Sequence, residues 1–149
     1  MSIKYITTCD NCKNSYSFEI GYAYMLFFNQ KKRNAIFIES LGNKEYRSEL
    51  LDYLKHDKDF FSPIDKRCYG CPKCHLVYNI ELLEKFKSDY AFHCKYCNEK
   101  LIKLTLQISR NKGSDYIKFY DSNNSNFTFI CEACKKQLLG LIDSEICLD

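Results

Sequence analysis

Glycine is scarce, with five in 149 residues, and the chain has no Gly-rich loop of the kind whose backbone N–H groups cradle phosphate. It also lacks a Gly-x-Ser-x-Gly elbow and a His-Glu-x-x-His helix, so two common signatures of acyl transfer and metal-assisted hydrolysis are missing. The longest apolar run, Tyr22 to Phe28, is far shorter than the roughly 20 residues that span a bilayer and is expected in a core. The opening residues Met1-Ser2-Ile3-Lys4-Tyr5 do not have the charged region followed by an apolar region that marks a secretory leader. From these absences we expect a cytoplasmic protein that is not an enzyme, binds no membrane and takes no small-molecule substrate.

Strong charge of one sign is missing too. The 22 basic and 19 acidic residues leave a formal charge of +3, divided almost evenly between the two halves, which is too mild to require a polyanionic partner. The clusters Lys31-Lys32-Arg33, Lys66-Arg67 and Lys135-Lys136 are candidate phosphate contacts, with a solvated polar face as the simpler reading. The abundance of Lys, Asn, Ile and Tyr suits an AT-rich genome, bacterial or phage.

What the chain does have is aromatic residues and cysteine. Its 12 Tyr and 11 Phe supply large core pieces with partly polar tips. Eight of its ten cysteines fall in the pairs Cys9/Cys12, Cys71/Cys74, Cys94/Cys97 and Cys131/Cys134. A disulfide framework spreads its half-cystines and comes with export, so paired spacing without a leader points to metal. Two thiolates separated by two residues curl into a knuckle, and two knuckles complete the tetrahedron that zinc prefers. The interval Cys71-x2-Cys74-x19-Cys94-x2-Cys97 matches structural zinc spacing. Eight thiolates then close two sites, so the expected cofactor is two Zn2+ ions with no open position for catalysis.

Other titratable groups carry less. Cys68 offers a second register, Cys68-x2-Cys71-x2-Cys74, that begins like an iron-sulfur run, but the next position in that run is Tyr78 and Pro72 favours the Cys71/Cys74 turn. Cys147 reads as a spare thiol. His75 and His93 flank ligand cysteines and are alternative ligands only if a thiolate is missing. His56 sits beside Asp57 on a charged face. A thiol-disulfide centre is the remaining use of a Cys-x-x-Cys pair, but such motifs come singly and precede a helix.

The pattern between the cysteines is mostly that of strands. Tyr16, Phe18 and Ile20 alternate with Ser17 and Glu19, with Gly21 ending or bending the run. Ala35 to Glu39 is a short β-like stretch. Residues 45–59 carry the one main helical pattern, and Pro63 follows it. A shorter helical pattern covers Glu81 to Tyr90, with Leu82, Phe86 and Tyr90 four apart. Ile102, Leu104, Leu106 and Ile108 alternate as a strand, and Asn111-Lys112-Gly113 turns it into Tyr116 to Tyr120. A polar loop then leads to Phe127 to Ile130, and Gln137 to Ile142 reads as strand or helix. The expected class is α+β and β-rich.

The stretch from Cys71 to Leu104 resembles the zinc-ribbon superfamily, particularly small bacterial modules reading Cys-Pro-x-Cys, then aromatic-x-aliphatic, a spacer and Cys-x-x-Cys. The likeness covers about a quarter of the chain; it implies zinc-ribbon β-hairpins with Cys71, Cys74, Cys94 and Cys97 as ligands and Tyr78 and Ile80 in the strand after the first knuckle. His75 departs from the pattern, because glycine commonly follows the second cysteine. The whole chain also looks like bacterial proteins with four spaced knuckles, a likeness that supplies no activity.

An internal echo extends the argument to the outer pairs. Cys9-x2-Cys12 leads into Tyr16-x-Phe18 as Cys71-x2-Cys74 leads into Tyr78-x-Ile80. Phe92-His93-Cys94-x2-Cys97 and Phe129-Ile130-Cys131-x2-Cys134 lead alike into Leu101 and Leu138. The order first, first, second, second favours nested pairing, Cys9/Cys12 with Cys131/Cys134 around the inner ribbon, although sequential pairing stays open because loop-closure entropy grows slowly with length. The expected organisation is one compact unit over 1–149, with an outer part of 9–67 plus 105–149 and an inner ribbon of 68–104. The expected role is a non-catalytic binding module for a protein partner, with exposed aromatics carrying the contact. A nucleic-acid binder using Lys31, Lys32, Arg33, Lys66 and Arg67, and a thiol oxidoreductase, are the alternatives.

Overall fold

The computed structural model describes residues 2–26, 43–49, 61–83 and 90–148. The structure is strand-rich, with eight strands among the described residues: β1 Ser2–Thr8, β2 Ser15–Leu26, β3 Phe61–Gly70, β4 Val77–Leu83, β5 Ile102–Asn111, β6 Ser114–Tyr120, β7 Asn126–Phe127 and β8 Ile142–Leu148. All pairings are antiparallel, in the order β7-β6-β5-β3-β2-β1-β8, with β4 added beside β3. The sheet curls into a half-barrel. Its ends approach where Tyr116 of β6 bridges Leu141 and the Ile117 N–H donates to the Gly140 carbonyl at 2.7 Å.

β3 organises the sheet. One of its edges takes β4 from Ile64 to Gly70; the other is shared, with β2 on Phe61 to Lys66 and β5 on Cys68 to Gly70. Pro63 lies in this strand opposite Tyr24, before β4 begins to pair, where a proline's missing N–H matters least. The strand has no two-residue apolar period because Asp65 and Lys66 are buried as ion-pair partners of Arg67 and Glu19. Gly21, at φ 108°, bends β2 rather than ending it. It is the hand-over residue, paired with Ser2 of β1 and with Lys66 of β3.

Successive residues of β3 face opposite sides, and two apolar clusters result. Cys68 joins Tyr5, Phe18, Leu104, Ile117, Phe119, Phe127, Phe129 and Leu138. Within this cluster Phe18, Phe119 and Phe129 meet edge to face with centroids 5.2, 5.4 and 5.8 Å apart. Tyr69 joins Tyr46, Ile80, Phe92 and Leu101 on the other side. Gly70 is small of necessity, since a Cβ there would lie 2.6 Å from the Phe127 ring.

Residues 44–49 are helical; the remainder of the expected helix over 45–59 and the β-like stretch at 35–39 lie outside the described residues. Asn43 caps this turn, its Oδ1 accepting from the Tyr46 N–H at 2.8 Å while its Nδ2 donates to the Ala91 carbonyl at 2.6 Å. The helical reading of Glu81 to Tyr90 is corrected over residues 81–83, which continue β4 against β3; residues 84–89 lie outside the described set. The Lys112-Gly113 hairpin has both residues at positive φ, 37° and 86°, with Asn111 paired to Ser114.

Candidate metal centres

Every Cys-x-x-Cys pair folds into the same turn. The N–H of the first cysteine donates to the carbonyl five residues on, and the N–H of the residue after the second cysteine donates back to the first cysteine's carbonyl. These bonds run Cys9 to Asn14 and Lys13 to Cys9, Cys71 to Leu76 and His75 to Cys71, Cys94 to Glu99 and Asn98 to Cys94, Cys131 to Lys136 and Lys135 to Cys131, all at 2.8–2.9 Å. The residue closing each turn is left-handed: Lys13, His75, Asn98 and Lys135 have φ of 66°, 59°, 62° and 65°. His75 therefore takes the conformation that glycine would, and does more: its Nδ1–H donates to the Thr128 carbonyl at 3.1 Å and its ring lies 5.2 Å from that of Phe127.

The four turns gather in nested pairs. The sulfurs of Cys9, Cys12, Cys131 and Cys134 lie within 4.8 Å of one another, as do those of Cys71, Cys74, Cys94 and Cys97. Adjacent sulfurs stand 3.6 Å apart in Cys9–Cys134, 3.5 Å in Cys12–Cys131 and 3.4 Å in Cys71–Cys97. A disulfide would be near 2.05 Å, and all ten cysteines are free thiols. A tetrahedron of thiolates about 2.3 Å from zinc has edges of about 3.8 Å, so the donor set fits a small divalent cation with slight expansion. In each site the first cysteines of both knuckles are buried and the second cysteines half-buried.

Two tyrosines complete the picture. The Tyr16 hydroxyl lies 3.0 Å from the Cys131 sulfur and the Tyr78 hydroxyl 3.2 Å from that of Cys94. Backbone donors add to them, as in the Cys74 N–H donating to the Cys71 sulfur at 3.2 Å. Four sulfurs this close compete for protons. Burial raises the Cys131 thiol, but the Tyr16 hydroxyl and the Cys134 and Ala133 N–H groups outweigh it and bring it down to about 6. At Cys12 the Asn14 N–H lowers the thiol, while burial and the neighbouring sulfurs more than reverse this and push it up to about 12. The inner site repeats the split: burial raises and Tyr78 lowers Cys94, with a net fall, and Cys74 is pushed up to about 12, first by Cys97. A shared divalent cation lets all four lose their protons.

Sequence reasoning passed over Tyr16 and Tyr78 as ligand partners, reading them only as strand residues. The signal was there: each lies seven positions after the first cysteine of a first-type knuckle.

The remaining candidates separate cleanly. Cys68 belongs to neither group; it is 2% exposed beside Asn79, and burial pushes its thiol up to about 12. Cys147 is exposed on β8. His75 and His93 lie outside both sulfur groups. Lys31, Lys32 and Arg33 fall outside the described residues. Lys66 is 6% exposed and ion-paired with Glu19, and Arg67 pairs with Asp65.

The two second-type knuckles meet. Tyr96, between Cys94 and Cys97, donates its hydroxyl to Glu132, between Cys131 and Cys134. Lys95 and Lys135 hold their ammonium groups 5.1 and 5.8 Å from the centre of the Tyr96 ring. Beside them a cleft of about 490 Å3 opens between Tyr96 and the Asn14-Ser15-Tyr16 segment.

These features define a class: a strand-rich protein with two four-cysteine groups able to hold metal, consistent with zinc-ribbon-like sites. A scan against protein-family models, a search of curated proteins and a search of solved structures each returned no match. Among the described residues no helix is long and apolar enough to cross a membrane.

Proposed function

We propose that this chain is a non-catalytic, cytoplasmic binding module in which two zinc ions are purely structural and whose partner is a protein. The observation that carries the reading is that each sulfur group has four thiol ligands from the chain itself, leaving a tetrahedral ion no open position. Among the described residues none of the four pairs precedes a helix, which speaks against a thiol-disulfide centre. Zinc acts here through folding, because an ion bound only by the native state stabilises that state. Leu139, Leu141 and Ile146 are 65%, 37% and 42% exposed along and just before β8, and support a protein contact there.

The test is zinc and iron per chain by elemental analysis of natively purified protein, with unfolding followed as a chelator is added. Two zinc ions per chain, and loss of the fold with their removal, are expected; no metal, or iron, refutes the reading. Leu139→Asp is expected to keep both ions and lose the captured protein partner.

A nucleic-acid reading has one observation in its favour, the exposed Tyr96 ring between Lys95 and Lys135. It requires binding to a single-stranded oligonucleotide that weakens steeply with salt. A flat salt response removes it.

A further inference from the structure

Tyr16 is half-buried, and its hydroxyl has two partners with opposite roles. The Glu132 N–H donates to its oxygen at 3.0 Å. Its single proton is then free to point at the Cys131 sulfur 3.0 Å away, which makes that sulfur the acceptor, the role of a thiolate. Tyr78 repeats the contact at Cys94. The equivalence is complete along the chain: each tyrosine follows a first-type knuckle at the same spacing, and each meets the first cysteine of the opposing knuckle. Both contacts therefore reach a buried sulfur, while the half-buried sulfurs of Cys12, Cys134, Cys74 and Cys97 lie nearer solvent.

Resting on the metal-binding reading, we propose that Tyr16 and Tyr78 are positioning residues of the two metal centres, each clamping one buried thiolate on the ion and thereby slowing its loss. A hydrogen bond to a metal-bound thiolate stabilises it against protonation and fixes its orientation. Release then starts at the half-buried second cysteines and stalls at the tyrosine-held sulfur. Because the two sites use separate tyrosines, each clamp acts on its own ion.

The experiment uses the full chain and the substitutions Tyr16→Phe and Tyr78→Phe, which keep the ring against Phe129 in the first case and remove only the hydroxyl. Tyr96→Phe, whose hydroxyl meets Glu132 and no sulfur, is the control. Two readouts are taken: zinc release to a chromophoric chelator, and the sulfur-to-metal charge-transfer band of the Co2+-loaded protein. Each of the first two variants is expected to load two ions and release one of them about tenfold faster, in line with the 10–100-fold cost of losing an outer-shell partner. The band is expected to move to lower energy, since a thiolate freed of its hydrogen bond gives up charge more readily, and a merely structural role would leave it in place. Release rates within twofold of wild type and an unmoved band overturn the inference while leaving the metal reading intact. A wild-type chain that takes up no Co2+ or zinc overturns both.

Discussion

The four knuckles place residues of three kinds, lysine twice, in one backbone conformation, and replacing each with glycine separates the cost of that conformation from the value of the side chain. A left-handed L-residue costs roughly 1–2 kcal/mol, and glycine escapes this but gives back about 0.5–1 kcal/mol through its freer unfolded chain. Lys13 is exposed, with φ 66° and no side-chain partner among the described residues, so Lys13→Gly should stabilise by about 0.5–1 kcal/mol. Lys135→Gly gains the same but loses the cation over Tyr96, about 0.5 kcal/mol at an exposed site, leaving a smaller gain. Asn98→Gly should be near neutral, because asparagine tolerates this region. His75→Gly should destabilise by roughly 1–2 kcal/mol, since it forfeits the bond to Thr128 and the Phe127 contact. The assay is thermal unfolding of the metal-loaded variants, where 1 kcal/mol corresponds to roughly 2–4 °C at this chain size. The expected order is Lys13→Gly above Lys135→Gly, then Asn98→Gly, then His75→Gly. Equal shifts at all four positions, or a loss at Lys13, would refute the reasoning.

Four further outcomes follow from other parts of the fold. In the metal-loaded protein, Cys147 should be alkylated rapidly and Cys68 only after unfolding. The Cys68 thiol, raised to about 12 by burial, costs no stability below the unfolded thiol value near 8.5 and weakens the fold as pH rises above it, which a stability profile from pH 7 to 10 on the Cys147→Ser background would show. Gly140→Ala should destabilise by about 2–4 kcal/mol in denaturant titration, because Gly140 has φ 82° and a Cβ there would lie 2.5 Å from the Ile117 carbonyl oxygen. Asn79 bonds reciprocally to the Glu19 backbone, accepting at 2.8 Å and donating at 2.7 Å, so it joins β2 to β4 where β2 leaves β3. Asn79→Ala should cost about 1–3 kcal/mol by leaving those groups unpaired; an unchanged denaturation midpoint would contradict that role.

How much of this was legible depended on whether a pattern was local. The ligand cysteines, the alternation of Ile102 to Ile108 and the turn at Lys112-Gly113 each declare themselves within a few residues, and the structure has β5 and its hairpin there. The repeated flanks of the knuckles pointed to nested grouping, which is the grouping the sulfurs adopt. β3 was hidden, because Asp65 and Lys66 are buried as ion-pair partners and Pro63 mimics a boundary. The end of β4 misled in the other direction: the spacing of Leu82, Phe86 and Tyr90 suits a helix, whereas pairing with β3 holds residues 81–83 extended. Tyr16 and Tyr78 were visible as an echo but not as sulfur partners, since that contact exists only once knuckles 115 and 16 residues away have docked.

The nesting also imposes a schedule. A chain made from its N-terminus has supplied every ligand of the inner site once Cys97 is in place, whereas half of the outer site is missing until Cys134 follows. Until then Cys9 and Cys12 must wait as an incomplete pair, and β1 waits for β8. The inner group can therefore be complete, and able to take a metal ion, before the outer one exists, so closure of the outer group would act as a latch that reports the arrival of Cys134 and β8.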